Sequence, residues 1–357
     1  MSERAGLILA VESSCDETAV AIVQRGRRIV SNVVASQVAL HAATGGIVPE
    51  VAARAHLRWM IPVLDEARDR AGLHDWAELD AVAVTEGPGL AGSLLVGITM
   101  ARTLAWVTGL PLVPVNHLEG HIYAAWLLDP DEEERAAPEF PLVALVVSGG
   151  HTFLVEMEGH LRYRLLGQTV DDAAGEAFDK VGRLLGLPYP GGPAIMAAAS
   201  GASRHDRRFS RAWLGDSYDF SFSGLKTAAR RAVGETAGGT ATEHEPDGRE
   251  LRAVDVAELA WAFQDSVVDV LATKTVRAAR GGDARAIVLG GGVAANSVLR
   301  ERIAQGALEL GIPLVVPRPG LCTDNAAMIG AAAWHRLGAG VRGDGRIDAR
   351  PSLKLAV

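Results

Sequence analysis

Three short apolar runs open the chain, 7–14, 19–24 and 28–36, each closed by turn residues, and the pattern predicts a β-meander. Past Gly46, Pro49 and Glu50 begin a segment with apolar residues at helical spacing that continues to residue 70. Proline at a first helical position and an acid in the first turn predict a long helix, interrupted or kinked near Pro62. Residues 81–85 read as a buried strand, 90–107 as a helix rich in glycine and alanine, 112–115 as another strand and 117–128 as a helix. The predicted order is βββαβαβα. Residues 129–141 are acidic, contain three prolines and show no period, so they read as a connector. The pattern then restarts, with strands over 142–148, 152–156 and 162–168, a helix over 172–185, and later a strand over 286–289 followed by a helix from 294. Both halves open on a strand, a turn of small polar residues and a second strand, which is a repeat of topology rather than of a short solenoid unit. Residues 234–250, rich in Gly, Thr and Glu, read as an exposed loop.

Composition supports two lobes, since 357 residues exceed the ~250–300 at which a single core stops growing. Hydrophobic residues at 48% and charged residues at 22% exclude a disordered or fibrous chain. The 40 glycines follow no collagen period, so they belong to turns and close backbone approaches. A net charge of −8 excludes a protein that coats nucleic acid with a broad basic face. Cys15 and Cys322 are the only cysteines, too few for a disulfide framework or a zinc ribbon, and a reducing cytoplasm fits. The opening Met-Ser-Glu-Arg-Ala-Gly lacks the charged, apolar and small regions of a signal peptide. No apolar run approaches the ~18 residues of a membrane span, so the expected location is cytoplasmic, away from membranes.

Several motifs could carry chemistry. Val146-Val147-Ser148-Gly149-Gly150-His151-Thr152 sets two glycines between buried strands, where consecutive backbone N–H groups can face an anion. A tight hairpin that needs positive φ is the competing reading. Gly290-Gly291-Gly292-Val293-Ala294-Ala295-Asn296 follows a strand and opens a helix, as a nucleotide sugar or phosphate requires, yet it is neither a Walker loop nor a dinucleotide fingerprint. His117 and His121, four residues apart and hence ~400° around a helix, share a face and could share a metal. Glu119 falls ~200° from His117 and points away, which weakens a His-Glu-x-x-His protease reading. A third ligand is needed, and Asp324 is a candidate that could equally be an N-cap. The run Asp171-Asp172-Ala173-Ala174-Gly175-Glu176-Ala177-Phe178-Asp179-Lys180 places Asp179 and Lys180 two turns into a helix, where either a salt bridge or a ligand contact explains them. Tyr189-Pro190-Gly191-Gly192-Pro193 reads as a stiff turn that a ribose could approach, or simply as a turn between helices.

Together with Glu12-Ser13-Ser14-Cys15-Asp16-Glu17-Thr18, Gly45-Gly46-Ile47-Val48-Pro49-Glu50, Gly87-Pro88-Gly89-Leu90 and Phe220-Ser221-Phe222-Ser223-Gly224-Leu225-Lys226, these stretches resemble the bacterial TsaD family of tRNA threonylcarbamoyladenosine synthesis, long known as O-sialoglycoprotein endopeptidases. The resemblance implies an α/β chain with the actin, Hsp70 and sugar-kinase fold, two lobes of duplicated βββαβα topology around a nucleotide cleft. One lobe would comprise 1–130 with 322–357 and carry the metal ligands; the other, 131–321, would carry the nucleotide and substrate loops. His117, His121 and Asp324 would ligate one divalent ion, Fe2+ or Zn2+. Val146, Val147, Ser148, Gly149, Gly150, Asp179, Gly192 and Asn296 would bind substrate. Asn116 departs from the family pattern, standing where many relatives carry a further histidine.

The implied reaction transfers threonylcarbamoyl from threonylcarbamoyl-AMP to the exocyclic amine of the adenosine 3′ to the anticodon, in tRNAs reading ANN codons, and releases AMP. An adenine amine is a poor nucleophile, so the acyl carbon must arrive as a mixed anhydride. A metal with open positions and amides lining the phosphate could stabilise the charge that develops. The residue that takes the amine proton is not legible. The resemblance also implies a TsaB-like paralogue and a TsaE-like ATPase as partners. A metalloprotease and a small-molecule kinase on the same fold are the alternatives. Against an acidic chain, Arg204, Arg207, Arg208 and Arg211, and Lys226 with Arg230 and Arg231, are the dense basic clusters from which tRNA phosphate contacts could come.

Overall fold

The opening meander forms as β1 (Leu7–Glu12), β2 (Glu17–Gln24) and β3 (Arg28–Ser36), paired antiparallel. All six β1 side chains are buried, so this strand is covered on both faces. The computed structural model describes residues 5–42, 44, 46–236, 252–343 and 345–355. These fall into two units, the first Met1–Pro138, Gly159–Arg162 and Pro317–Val357, the second Glu139–Glu158 and Tyr163–Val316.

In the first unit, α1 (Val38–Ala42) and α2 (Pro49–Ala71) follow the meander. Contrary to the expected interruption, α2 runs as one helix through Pro62, because Met60, Val63 and Leu64 on either side of the proline are buried in the core. It stops at Gly72, whose left-handed φ of 59° lets its N–H reach back to the Arg68 and Asp69 carbonyls. Next come β4 (Ala81–Gly87), α3 (Ala91–Thr108), β5 (Leu112–Asn116) and α4 (His117–Tyr123). Residues beyond α4 tighten into a 3-10 turn at Ala124–Trp126 where a continuing helix was expected. The sheet order is β3-β2-β1-β4-β5, with β4 parallel to β1 and β5 parallel to β4. Helices α2 and α3 cover one face. Among the described helices, α3 is long and apolar enough to cross a membrane by length and composition alone, which corrects the expectation that no segment approaches that length. Its residues Leu94, Ile98, Ala101 and Ala105 recur at helical spacing within the core against β1 and β4.

The second unit repeats the plan with β6 (Leu142–Val147), β7 (Thr152–Gly159), β8 (Arg162–Gln168), α5 (Ala174–Leu184), α6 (Gly191–Ala199), α7 (Ser223–Thr236), α8 (Ala253–Gly281), β9 (Ala286–Gly290), α9 (Ser297–Leu310) and β10 (Leu314–Val315). Its sheet order, β10-β9-β6-β7-β8, mirrors that of the first unit: an antiparallel β6–β7 pair, then parallel β9 and β10. The duplicated topology is thus present. Helix α8 had no counterpart in the sequence pattern. Eighteen of its 29 residues are buried around most of its circumference, so no single apolar stripe marks it. The chain ends, in its described part, with α10 (Pro319–Cys322) and α11 (Ala326–Gly338) of the first unit. The loop expected over 234–250 lies, from 237 onward, outside the described residues.

Candidate functional site

His117 and His121 owe their position to the junction of β5 and α4. The Asn116 side chain accepts a hydrogen bond from Leu118 N–H at 2.8 Å and donates to the Lys354 carbonyl at 2.9 Å, so the helix starts at His117. Asparagine is a good N-cap. One turn on, Gly120 lets α11 come close, since a Cβ there would meet Ile329 Cδ1 at 2.9 Å and Met328 Cγ at 3.1 Å. At the head of α11 the N-cap is Asn325, which accepts from Met328 N–H at 3.0 Å. The cap reading of Asp324 is thereby excluded, and its carboxylate turns to the histidines. Its Oδ1 lies 3.2 Å from His121 Nε2 and 3.5 Å from His117 Nε2, and one ligand atom from each of the three residues falls within 4.8 Å of the others.

Both nitrogens of His121 are buried without a hydrogen-bond partner, because the Asp324 contact is close but poorly aligned. A buried imidazole with no partner is costly unless something else completes it. Two imidazoles and a carboxylate suit a borderline divalent ion, so the residues present fit a metal. Glu119 is buried and held by Arg336 at 2.8 Å, away from the cluster, as its helical phase predicts.

Sequence reasoning left out Glu12, the last residue of β1, as a member of this cluster. Its carboxylate accepts from His117 Nδ1 at 3.0 Å, Thr85 Oγ1 at 2.7 Å and Ser14 N–H at 2.5 Å. An acid ending an otherwise apolar, fully buried strand is the signal that could have found it. Burial would push Glu12 up, yet the charge of His117 and its hydrogen bond hold the carboxyl below the ordinary range. For His117 burial acts downward, but Asp324 and Glu12 outweigh it and hold the imidazole at about 9. Burial, Asp324 and Asp16 push Glu17 up to about 10. Carboxylates exceed cations in this pocket, so it favours positive charge. The half-buried Cys15 thiol is pushed up, first by burial and then by neighbouring acids, and stays a thiol.

The glycine-bearing segments converge within the second unit. Val146 and Val147 end β6 fully buried, and the turn beyond is closed by Ser148 N–H to the His151 carbonyl at 2.8 Å. Helix α5 begins against this turn, since a Cβ on Gly175 would lie 2.4 Å from the Ser148 carbonyl oxygen. The β9–α9 loop packs on the same place: a Cβ on Gly291, at φ +86°, would lie 2.4 Å from the Val147 oxygen. Asp179 Oδ1 accepts from Gly191 N–H at 2.7 Å and so ties α5 to the start of α6, whose first turn holds Gly191 and Gly192, so the stiff turn expected over 189–193 ends at the helix N-cap Pro190. Lys180 pairs with Asp172 and Glu176, both at 2.8 Å, which resolves it as a salt bridge. Asn296 caps α9 and donates to Gln264 Oε1 at 2.8 Å, so its side chain is already engaged.

Gly149, Gly150 and Gly192 differ from Gly175 and Gly291. None of the three adopts a left-handed φ, and a Cβ on any of them would meet nothing within 4 Å. The segment is a tight hairpin between antiparallel β6 and β7, as the competing reading held, but not one that needs positive φ at Gly149 or Gly150.

Comparison with known proteins shows the family. Residues 28–331 match the family model described as TsaD: tRNA N6-adenosine threonylcarbamoyltransferase. The chain is 53% identical to the tRNA N6-adenosine threonylcarbamoyltransferase of Thermomicrobium roseum, over 98% of this chain and 97% of that protein. It is 51% identical to the enzyme of the same name from Symbiobacterium thermophilum, over 99% and 98%. Among solved structures it resembles HypF of T. kodakarensis, with a TM-score of 0.60, 14% identity, and coverage of 94% of this chain and 48% of that one. That likeness concerns the fold alone and agrees with the duplicated α/β sheets of the actin, Hsp70 and sugar-kinase class. The chain belongs to the TsaD family and is a tRNA N6-adenosine threonylcarbamoyltransferase, an acyltransferase that modifies tRNA.

Proposed function

We propose that the donor is threonylcarbamoyl-AMP and the acceptor the N6 amine of the adenosine 3′ to the anticodon in tRNAs reading ANN codons. The new N–C bond forms at the carbamoyl carbon, the C–O bond to phosphate breaks, AMP leaves with the electron pair, and the amine gives up one proton. The observation that supports the adenylate reading is that Gly149, Gly150 and Gly192 stand where neither a left-handed φ nor a close neighbour requires glycine, so that backbone there is open to a ligand. Amides of the 148–150 turn would stabilise charge on the departing phosphate. Val146, Val147 and Asn296 would bind the substrate beside these glycines, and Asp179 would hold the start of α6 that carries Gly192.

His117, His121 and Asp324 would hold one divalent ion, Fe2+ or Zn2+, in a three-ligand set that leaves coordination positions open. When bound, such an ion supplies Lewis acidity toward a substrate oxygen. A TsaB-like paralogue and a TsaE-like ATPase would act with the chain in the cytoplasm. Nothing favours the protease alternative, whose general base would have to be Glu119, already paired with Arg336. Purified chain and partners, incubated with tRNA, threonine, bicarbonate, ATP and the adenylate-forming enzyme, should yield modified adenosine by mass spectrometry. Product formed equally well from free threonine and ATP without the adenylate-forming enzyme would refute the proposed donor.

A further inference from the structure

We propose that Glu12 is a positioning residue for the metal site, fixing the tautomer and aim of His117 through a buried carboxylate–imidazole contact. The inference rests on reading His117, His121 and Asp324 as the metal's ligands.

Glu12 ends the central strand β1 and is fully buried. Three donors converge on its two oxygens: Ser14 N–H on Oε1, and the Thr85 hydroxyl and His117 Nδ1–H on Oε2. An acceptor facing Nδ1 places the imidazole hydrogen there and leaves the Nε2 lone pair for a ligand. It is Nε2 of His117 that turns to Asp324, at 3.5 Å. Thr85, on β4, and Ser14, in the loop after β1, hold the carboxylate from two sides, so its direction is set by the sheet. Ser14 itself is steadied by Gly89, where a Cβ would lie 2.5 Å from the Ser14 carbonyl oxygen.

His121 has no such support, since its Nδ1 is buried without a partner. The two histidines are therefore unequal: one is aimed by a carboxylate and the other is placed by its helix alone. Ser14 Oγ, 3.2 Å from His117 Nδ1, is a weaker second acceptor for the same hydrogen. Outer contacts of this kind typically contribute about 10–100-fold to metal affinity.

Glu12→Gln keeps the shape but cannot accept at all three contacts. With the amide nitrogen toward His117, the imidazole is driven to the tautomer that protonates Nε2; with it toward Ser14, two donors face each other. The test uses the full chain, stripped with a chelator and reloaded with Zn2+, its affinity measured by competition with a chromophoric chelator. Co2+ loading adds a visible spectrum that reports ligand geometry. Glu12→Gln should weaken Zn2+ binding about 10–100-fold and alter the Co2+ bands.

Wild type that binds no Zn2+ overturns the ligand assignment itself. Wild type that binds, with Glu12→Gln binding equally tightly and giving the same Co2+ spectrum, overturns the role of Glu12 alone. Should Glu12→Gln not fold, Glu12→Asp keeps the charge but withdraws the acceptor by a methylene. A weakened affinity in that variant supports the inference, and an unchanged one refutes it.

Discussion

Gly149→Val separates a ligand cradle from an ordinary turn, and the structure fixes what each should show. At Gly149 a Cβ meets nothing within 4 Å and φ is not left-handed, so valine meets neither strain nor overlap in the folded chain. Substitutions at such positions stay within ~0.5 kcal/mol, and loss of glycine's freedom in the unfolded chain adds a slight gain. At ~2–4 °C per kcal/mol for chains of 150–250 residues, and less for a longer one, the melting temperature should move by no more than ~2 °C. Gly291→Ala makes the contrast, because φ +86° disfavours any side chain and its Cβ would sit 2.4 Å from the Val147 oxygen. Strain of this kind costs ~1–3 kcal/mol before the overlap is counted, so that variant should melt several degrees lower. Binding should follow the opposite order of cause. If the turn's amides hold a phosphate, the valine methyls exclude at least one charge-assisted hydrogen bond, each worth ~1.5–3 kcal/mol, which is roughly a 10- to 150-fold loss in affinity. Calorimetric titration with a non-reactive threonylcarbamoyl-adenylate analogue, beside thermal melts of both variants, reads the two effects separately. Unchanged affinity in a stable Gly149→Val protein would return the segment to a solvent-facing turn.

Other consequences are testable with the same protein. His121→Ala and Asp324→Asn should each lose most bound metal by elemental analysis with little change in circular dichroism, since both side chains cluster at the ends of already packed helices; full occupancy in both would end the metal reading. Glu258 accepts from the backbone N–H groups of Arg204, Ser203 and His205, first and most strongly Arg204, and these hold its carboxyl at about 2 against an ordinary 4.5. Its folded value is depressed, so its stabilisation is complete above pH 4.5 and is lost as pH falls toward 2; the melting gap between wild type and Glu258→Gln should be wide at pH 7 and close near pH 2, and a gap independent of pH contradicts this. Arg211 is held by Asp265 at 2.5 Å and Asp269 at 2.9 Å and serves the fold, whereas Arg208 stacks on Trp261 and Arg207 lies 3.8 Å from Glu235 near the surface. Reversing Arg207 and Arg208 to Glu should lower the slope of log affinity for tRNA against log salt by roughly one to two units, at ~0.9 per contact, and an unaltered slope removes this loop from the RNA surface.

The order of elements in the first half was legible because two periods dominate there, alternation or continuous burial in the strands and helical spacing in α2 and α3, whereas α7 and β10 of the second half were not read from the sequence. The duplicated meander followed from the same pattern. Helix α8 escaped because burial around most of its circumference erases the stripe that marks a surface helix. Pro62 predicted an interruption or a kink, and the helix runs through it without interruption, with buried packing on both sides.

At the site, sequence alone determined that His117 and His121 share a face and that Glu119 does not, since four residues make about one turn. It could not decide whether Asp324 capped α11 or faced the histidines. That choice was made by Asn325, which takes the cap, and by Gly120, which brings α11 close enough to α4 for the carboxylate to arrive. Nor could spacing pair Glu12 with His117, 105 positions apart, because only the parallel arrangement of β1, β4 and β5 brings the two strand ends together. Glycine carried the same ambiguity. Gly149 and Gly291 look alike in sequence, and only the packed chain shows that one faces open space while the other touches backbone. Local periodicity is written in the residues themselves, but the distance between groups far apart in the chain depends on sheet order and helix packing, which are properties of the folded whole.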